Sequence, residues 1–180
     1  LPLLRAYDGP SSERNDMRRL ILMRHAKSDW SHGTSDHDRP LNPRGRGAAE
    51  ALGNWLRAEG LLPDAVLCST AVRTRETCAL LNLPESCAVE HLRQLYLAEP
   101  NEIIANLRQR ASGDTLLLVA HNPGIAAAAV ALLQDTPDQD AFGRYPSGAT
   151  TVMDFDIDSW ADLVPGSGGL RAFTVPKQLV

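Results

Sequence analysis

Apolar residues in this chain come in short solid runs, each followed by a polar stretch and then by a segment of helical spacing. Arg18–Met23 (RRLILM) and Thr115–Ala120 (TLLLVA) show no polar alternation, the pattern of strands covered on both faces. Asp64–Cys68 (DAVLC) is a third such run, and 87–92 (CAVEHL) a weaker one. Between them lie the helices. The stretch 42–60 opens with Asn42 as N-cap and Pro43 at the first helical position. It carries Ala48, Ala51, Leu52, Trp55 and Leu56 as an apolar stripe and stops at Gly60. Residues 70–83 make a second predicted helix, halted before Pro84. Residues 100–110 make a third, with Glu102 in the first turn and Arg108 and Arg110 in the last, where each sign suits the helix dipole. Asn122 and Pro123 repeat the cap-then-proline opening before an alanine-rich fourth helix. Residues 148–157 and 170–175 alternate like strands at an antiparallel edge, and Gly166–Gly169 (GSGG) reads as the turn before the last of them.

This alternation predicts an α/β domain whose mostly parallel sheet lies between helical layers. The first sixteen residues fall outside it. After Leu4 they are Pro, Gly, Ser, Asn and charged residues without period, so 1–16 read as an N-terminal extension to a single domain over 17–180. Met17 stands directly before the first strand and is a natural start for the folded part.

Composition narrows the function classes. A chain of 180 residues with 43% apolar and 22% charged residues suits one globular domain with a full core. Net charge −4 and pI near 5.7 provide no basic field for nucleic acid or an anionic membrane. Aromatics at 5% leave few stacking platforms for bases. Cys68, Cys78 and Cys87 form no CxxC pair and read as buried thiols of a reducing compartment. No apolar run approaches the roughly 18 residues of a membrane span, and the N-terminal apolar segment is short for a secretory signal. A cytoplasmic location is the expectation.

In sheets of this kind ligands bind beyond the carboxyl ends of the strands. There the sequence turns basic. Arg18–Met23 runs straight into Arg24 and His25. Asp64–Cys68 leads through Ser69 into a helix whose first turn holds Arg73. Thr115–Ala120 ends in His121 and Asn122. Two arginines and two histidines thus converge on one sheet edge, where they repel one another unless an anion lies between them. A phosphate is the anion that this set of forks and rings suits.

The stretches LMRHAKSDW, DHDRPLNPRG, CSTAVRTRET and VAHNPGI, in this order and each at a strand end, resemble the successive motifs of the histidine phosphatase superfamily. More narrowly they resemble its SixA-type phosphohistidine phosphatase branch, from about Arg18 to the last strands. The resemblance implies a three-layer α/β/α sandwich like that of the phosphoglycerate mutases and a covalent phosphohistidine intermediate. It implies His25 as nucleophile, and Arg24, Arg73 and His121 as phosphate partners. Ser28 matches a phosphate-binding serine of the family, while Ser31 stands where many members carry asparagine. Amides of the helix opening at Asn122 would add a positive dipole end. Lys27 reads as a rim charge, and Arg39 as a partner of Asp36 or Asp38 that holds the loop.

Mutase-like members carry a general-acid glutamate after the third strand. Gln94 falls at that position here, and glutamine has no proton to give an alkoxide. Imidazole leaving from phosphohistidine needs much less help, since its conjugate acid has a pKa of about 6.5. The expected substrate is therefore a phosphohistidine on a protein, such as a histidine-containing phosphotransfer domain. A small phosphorylated metabolite is the alternative. Glu99, Glu90, Asp29 and Asp36 are the other carboxylates able to stand in as acid. His32, Asp36, His37 and Asp38 offer metal-ligand chemistry, but without HExxH spacing a polar loop is the plainer reading. A catalytically silent binding domain is a further rival, opposed by the retention of both histidines and both arginines. GSGG lacks the Lys and Ser/Thr of a P-loop, so neither a nucleotide cofactor nor a metal is expected.

Overall fold

In the computed structural model, which describes residues 17–179, six strands form one sheet. The extension expected over 1–16 lies outside the described residues. In chain order the elements are β1 (Met17–Arg24), α1 (Pro43–Ala58), β2 (Ala65–Ser69), α2 (Val72–Leu80), β3 (Ala88–Leu92) and α3 (Pro100–Arg110). They continue with β4 (Thr115–Ala120), α4 (Gly124–Leu132), α5 (Asp140–Arg144), β5 (Thr150–Asp156) and β6 (Gly169–Thr174). The strand order is β3-β2-β4-β1-β5-β6. The first four are mutually parallel, and β5 and β6 add antiparallel at one edge.

The solid apolar runs are explained by a core on each face. Leu20 and Leu22 of β1 pack with Leu116 and Leu118 of β4 toward Ile103 and Leu107 of α3 and Ile125 of α4. Ile21 and Met23, pointing the other way, join Leu117 and Val119 against Leu52 and Leu56 of α1 and Cys78 of α2. This is the three-layer α/β/α arrangement. Cys68 and Cys78 are buried and Cys87 half-buried, all as free thiols.

Asn42 caps α1 as expected, its side chain accepting from the Gly45 amide at 2.8 Å. The buried face of α1 differs from the expected stripe. Gly45, Ala49, Leu52, Gly53 and Leu56 are buried, whereas Ala48, Ala51 and Trp55 are half-exposed. Glycine decides the rotation. A Cβ on Gly45 would lie 2.0 Å from the Lys27 carbonyl, and one on Gly53 2.2 Å from that of Leu81. The helix therefore approaches its neighbours along its glycines, which a hydrophobicity pattern does not register.

Two other expectations need correction. The second helix is shorter than 70–83, spanning Val72–Leu80. Asn122 does not cap the fourth helix. That helix begins at Gly124, without a side-chain cap, and the Asn122 amide donates instead to the Tyr145 carbonyl at 2.9 Å. The short helix α5 and the left-handed Tyr145 that follows it (φ 44°) carry no sequence signal of periodicity or turn chemistry.

Candidate active site

Parallel pairing places the ends of three strands side by side. Arg24 is in register with Ala120, and Cys68 with Val119, so His25, Ser69 and His121 emerge together. A cleft of about 290 Å³ opens above them. Arg24, His25, Ser28, Arg73, His121 and Asn122 all line it, with Lys27 at its rim. Asp36, Arg39, Trp30, Leu97 and Ser147 complete the wall.

His25 is 6% exposed. Its Nδ1 donates to the Ala26 carbonyl at 2.7 Å, which keeps the ring proton there and leaves the lone pair on Nε2. Burial first, then Arg73, Arg24 and Arg39, hold its pKa down to about 3 despite the Ala26 bond. The imidazole is thus neutral across the physiological range. Arg73, 2% exposed, aims Nε at His25 Nε2 from 3.3 Å. Its two terminal nitrogens are spent on Asp36, on the backbone oxygen at 2.6 Å and on Oδ2 at 3.1 Å.

His121 stacks obliquely on His25, ring centroids 5.3 Å apart, and its Nε2 meets the Ser69 hydroxyl at 2.8 Å. Burial, then the neighbouring His25 and Arg73, put its pKa at about 3 as well. Arg24 donates through Nη1 to the Tyr145 carbonyl at 3.0 Å, the oxygen that Asn122 also uses. Burial and then Arg73 lower its pKa.

Among the described residues, four buried side-chain polar atoms have no hydrogen-bond partner. They are Arg24 Nε, Arg39 Nε, His121 Nδ1 and Asn122 Oδ1, and every one belongs to a residue lining this cleft. Leaving a buried donor unpaired costs about 1–3 kcal/mol. The other buried side-chain nitrogens and oxygens among the described residues have partners, so these unmet bonds are confined to one place. A site built to receive hydrogen bonds from outside has this signature.

Sequence reasoning missed how the loop 29–41 organises the cleft. Asp36 is its pivot. It binds Arg73, pairs with Arg39 at 3.0 Å and accepts from the Tyr96 hydroxyl. The Tyr96 bond and the two guanidinium groups together hold the Asp36 carboxyl well below the usual range. Arg39 was expected only to hold the loop. It is 7% exposed, donates to the Ser28 hydroxyl, stacks on the Trp30 ring at 3.6 Å and forms part of the cleft wall. The charge-rich DHDRP segment was the available signal. Nothing in sequence marked Tyr145, Ser69 or Tyr96 as support.

The acid position also needs correction. Gln94 is exposed and does not line the cleft; from that segment Leu97 does. Glu90 pairs with Arg110 at 2.7 Å and Asp29 with His32 at 3.0 Å, and neither of these carboxylates nor Glu99 is among the described residues that line the cleft. Asp36 is the carboxylate among the lining residues, and it is ionised. The loop residues His32 and His37 are dispersed, His37 bonding Thr70 at 2.9 Å, and no cluster of three or more candidate metal ligands forms among the described residues.

Residues 20–96 match the model of the histidine phosphatase superfamily (branch 1). An uncharacterized protein of Mycobacterium tuberculosis is 38% identical over 163 residues, 86% of this chain and all of that one. Among solved structures, a candidate phosphohistidine phosphatase SixA of Nakamurella multipartitia is 33% identical with a TM-score of 0.77, covering 89% of this chain and 96% of that one. This chain belongs to the histidine phosphatase superfamily. Its likeness is of the SixA type, and a candidate SixA of Agrobacterium tumefaciens (25% identity, TM-score 0.72, covering 88% of this chain and 98% of that one) agrees. No helix among the described residues of this histidine phosphatase homologue is long and apolar enough to cross a membrane.

Proposed function

We propose that this phosphatase removes the phosphoryl group from phosphohistidine on a protein, by way of a covalent intermediate on His25. The observation that carries the reading is the pairing of a neutral, tautomer-fixed imidazole with unpartnered buried polar atoms on Arg24, Arg39, His121 and Asn122, and with no protonated carboxyl among the described lining residues. In the first step His25 Nε2 attacks phosphorus in line. The P–N bond to a substrate imidazole that carries a proton on its other ring nitrogen breaks, and the electron pair leaves with the released nitrogen as neutral imidazole. Arg24, Arg73 and His121 hold the three phosphoryl oxygens meanwhile, with Ser28 and Asn122 at the edge of the site. In the second step water attacks the phosphorus on His25, and the Nε2–P bond breaks with its electron pair returning to Nε2 while Nδ1 keeps its proton. The water's oxygen and protons leave with the released phosphate. The residues themselves provide the charge, and no step calls on a metal or cofactor.

The missing acid supports the substrate class. An alkoxide leaves poorly without a proton, whereas a histidine nitrogen leaves with a conjugate-acid pKa of about 6.5. The expected outcome is fast turnover of a phosphohistidine peptide, slow turnover of aryl phosphates with acidic phenols, and almost none of a phosphoserine peptide. Gln94→Glu should leave that ranking unchanged, because position 94 does not reach the cleft. Equal rates on phosphoserine and an activated aryl phosphate, with chemistry rate-limiting, would show that a proton donor exists and would favour a small phosphoester substrate.

A further inference from the structure

A second groove, of about 360 Å³, adjoins the cleft and shares Lys27 and Ser147 with it as a common wall. Its rim carries Lys27, Arg44, Arg144 and Lys177, drawn from four separate parts of the chain, and among the described residues no carboxylate lines it. All four residues are exposed, and none forms an ion pair or a side-chain hydrogen bond with a described residue. On a protein of net charge −4 such a concentration of unpaired positive charge is conspicuous. The floor is apolar, with Ala48, Ala141, Val175 and Pro176 contributing. Across the cleft mouth, Trp30 is 79% exposed and Leu97 54%. Large exposed side chains around a concave site mark a surface that is covered in use.

We propose that this groove docks the acidic face of a phosphorylated protein, whose modified side chain enters the adjoining cleft. The inference rests on the phosphohistidine reading and extends it to the partner's chemistry. Carboxylates flanking the phosphorylated residue meet the four cations, and an apolar side chain between them settles on the floor. A small metabolite with a second phosphate fits less well. Such a site needs buried donors, whereas four flexible, solvent-screened heads bind one small anion weakly. Spread over a surface, the same charges steer an acidic protein and raise its association rate.

Two measurements test it on the full chain, with the double variant R44E/K177E. Neither residue lines the cleft, and glutamate near the start of α1 suits the helix dipole. First, a fluorescein-labelled peptide of alternating Glu and Leu is titrated by anisotropy, beside its Lys-for-Glu counterpart. The acidic peptide should bind the unmodified chain, weaken steeply between 20 and 200 mM salt, and lose roughly tenfold or more in affinity in the variant, about 1.4 kcal/mol; the basic peptide should not bind. Second, kcat/KM is compared on a phosphohistidine peptide flanked by glutamates and on a chromogenic aryl phosphate. The variant should lose roughly tenfold on the first and nothing on the second. Equal binding of the acidic peptide by both proteins would overturn the proposal, as would equal losses on both substrates. Charge-dependent binding without phosphohistidine turnover by the unmodified chain would support the groove and sink the substrate reading instead.

Discussion

At the scale of single residues, the cleft is held in a state that costs free energy until an anion arrives. His25 and His121, both with pKa about 3, stay neutral in the folded chain while their unfolded counterparts titrate near 6.5. The sign follows directly. Between pH 6.5 and 3 the unfolded chain takes up protons that the folded chain does not, so stability is full above about 6.5 and falls with acidification. Each such proton contributes about 1.4 kcal/mol per pH unit. Denaturant unfolding in phosphate-free buffer should therefore show a slope between pH 6 and 4 that is shallower in His25→Ala by about that amount. Parallel slopes would mean that His25 is protonated in the folded state. Asp36 holds both terminal nitrogens of Arg73 and so acts through it, as a positioning residue. Asp36→Ala is expected to lower kcat/KM roughly 10–10²-fold by misplacing that guanidinium, while the phosphoenzyme still forms. A variant unable to form the phosphoenzyme at all would place Asp36 in the chemistry instead.

At the scale of elements, α1 is fixed by where backbone meets backbone. Gly53 and Gly47 lie on the same helix and face opposite fates. A methyl group on Gly53 would run into the Leu81 carbonyl at 2.2 Å, whereas nothing lies within 4 Å of one on Gly47. Gly53→Ala should cost about 1–3 kcal/mol of stability by overpacking. Gly47→Ala should add about 0.4–1 kcal/mol by stiffening the unfolded chain and favouring helix. Thermal or denaturant unfolding of the pair measures both, and loss of stability in each would refute the packing argument. The same contrast explains what was legible in advance. Solid apolar runs announced β1, β2 and β4, and the Asn-Pro opening announced α1, because burial on both faces and capping leave local signatures. The face of α1 and the start of α4 were not legible, because glycine contacts and the use of Asn122 by Tyr145 are settled by residues far along the chain.

At the scale of the whole molecule, the ends of three parallel strands bring Arg24, His25, Arg73 and His121 from distant parts of the chain to one cleft. Strand ends made that convergence readable in the sequence, since Arg24 closes β1 with His25 next, His121 follows β4 directly, and Arg73 sits in the first turn of the helix after β2. The supporting loop was half readable: the Asp36–Arg39 pair was expected and is present, whereas Tyr96 and Arg73 join Asp36 only once the chain has folded. Chemistry then depends on one atom, Nε2 of His25. The most direct test is to trap the intermediate. The protein is mixed with a substrate carrying labelled phosphorus, quenched within milliseconds, digested and mapped. A label that survives base, is lost in acid, and lies on the peptide containing His25 is the predicted result, with neither label nor turnover in His25→Ala. Turnover in His25→Ala near that of the unmodified chain, or a label on another residue, would contradict the account.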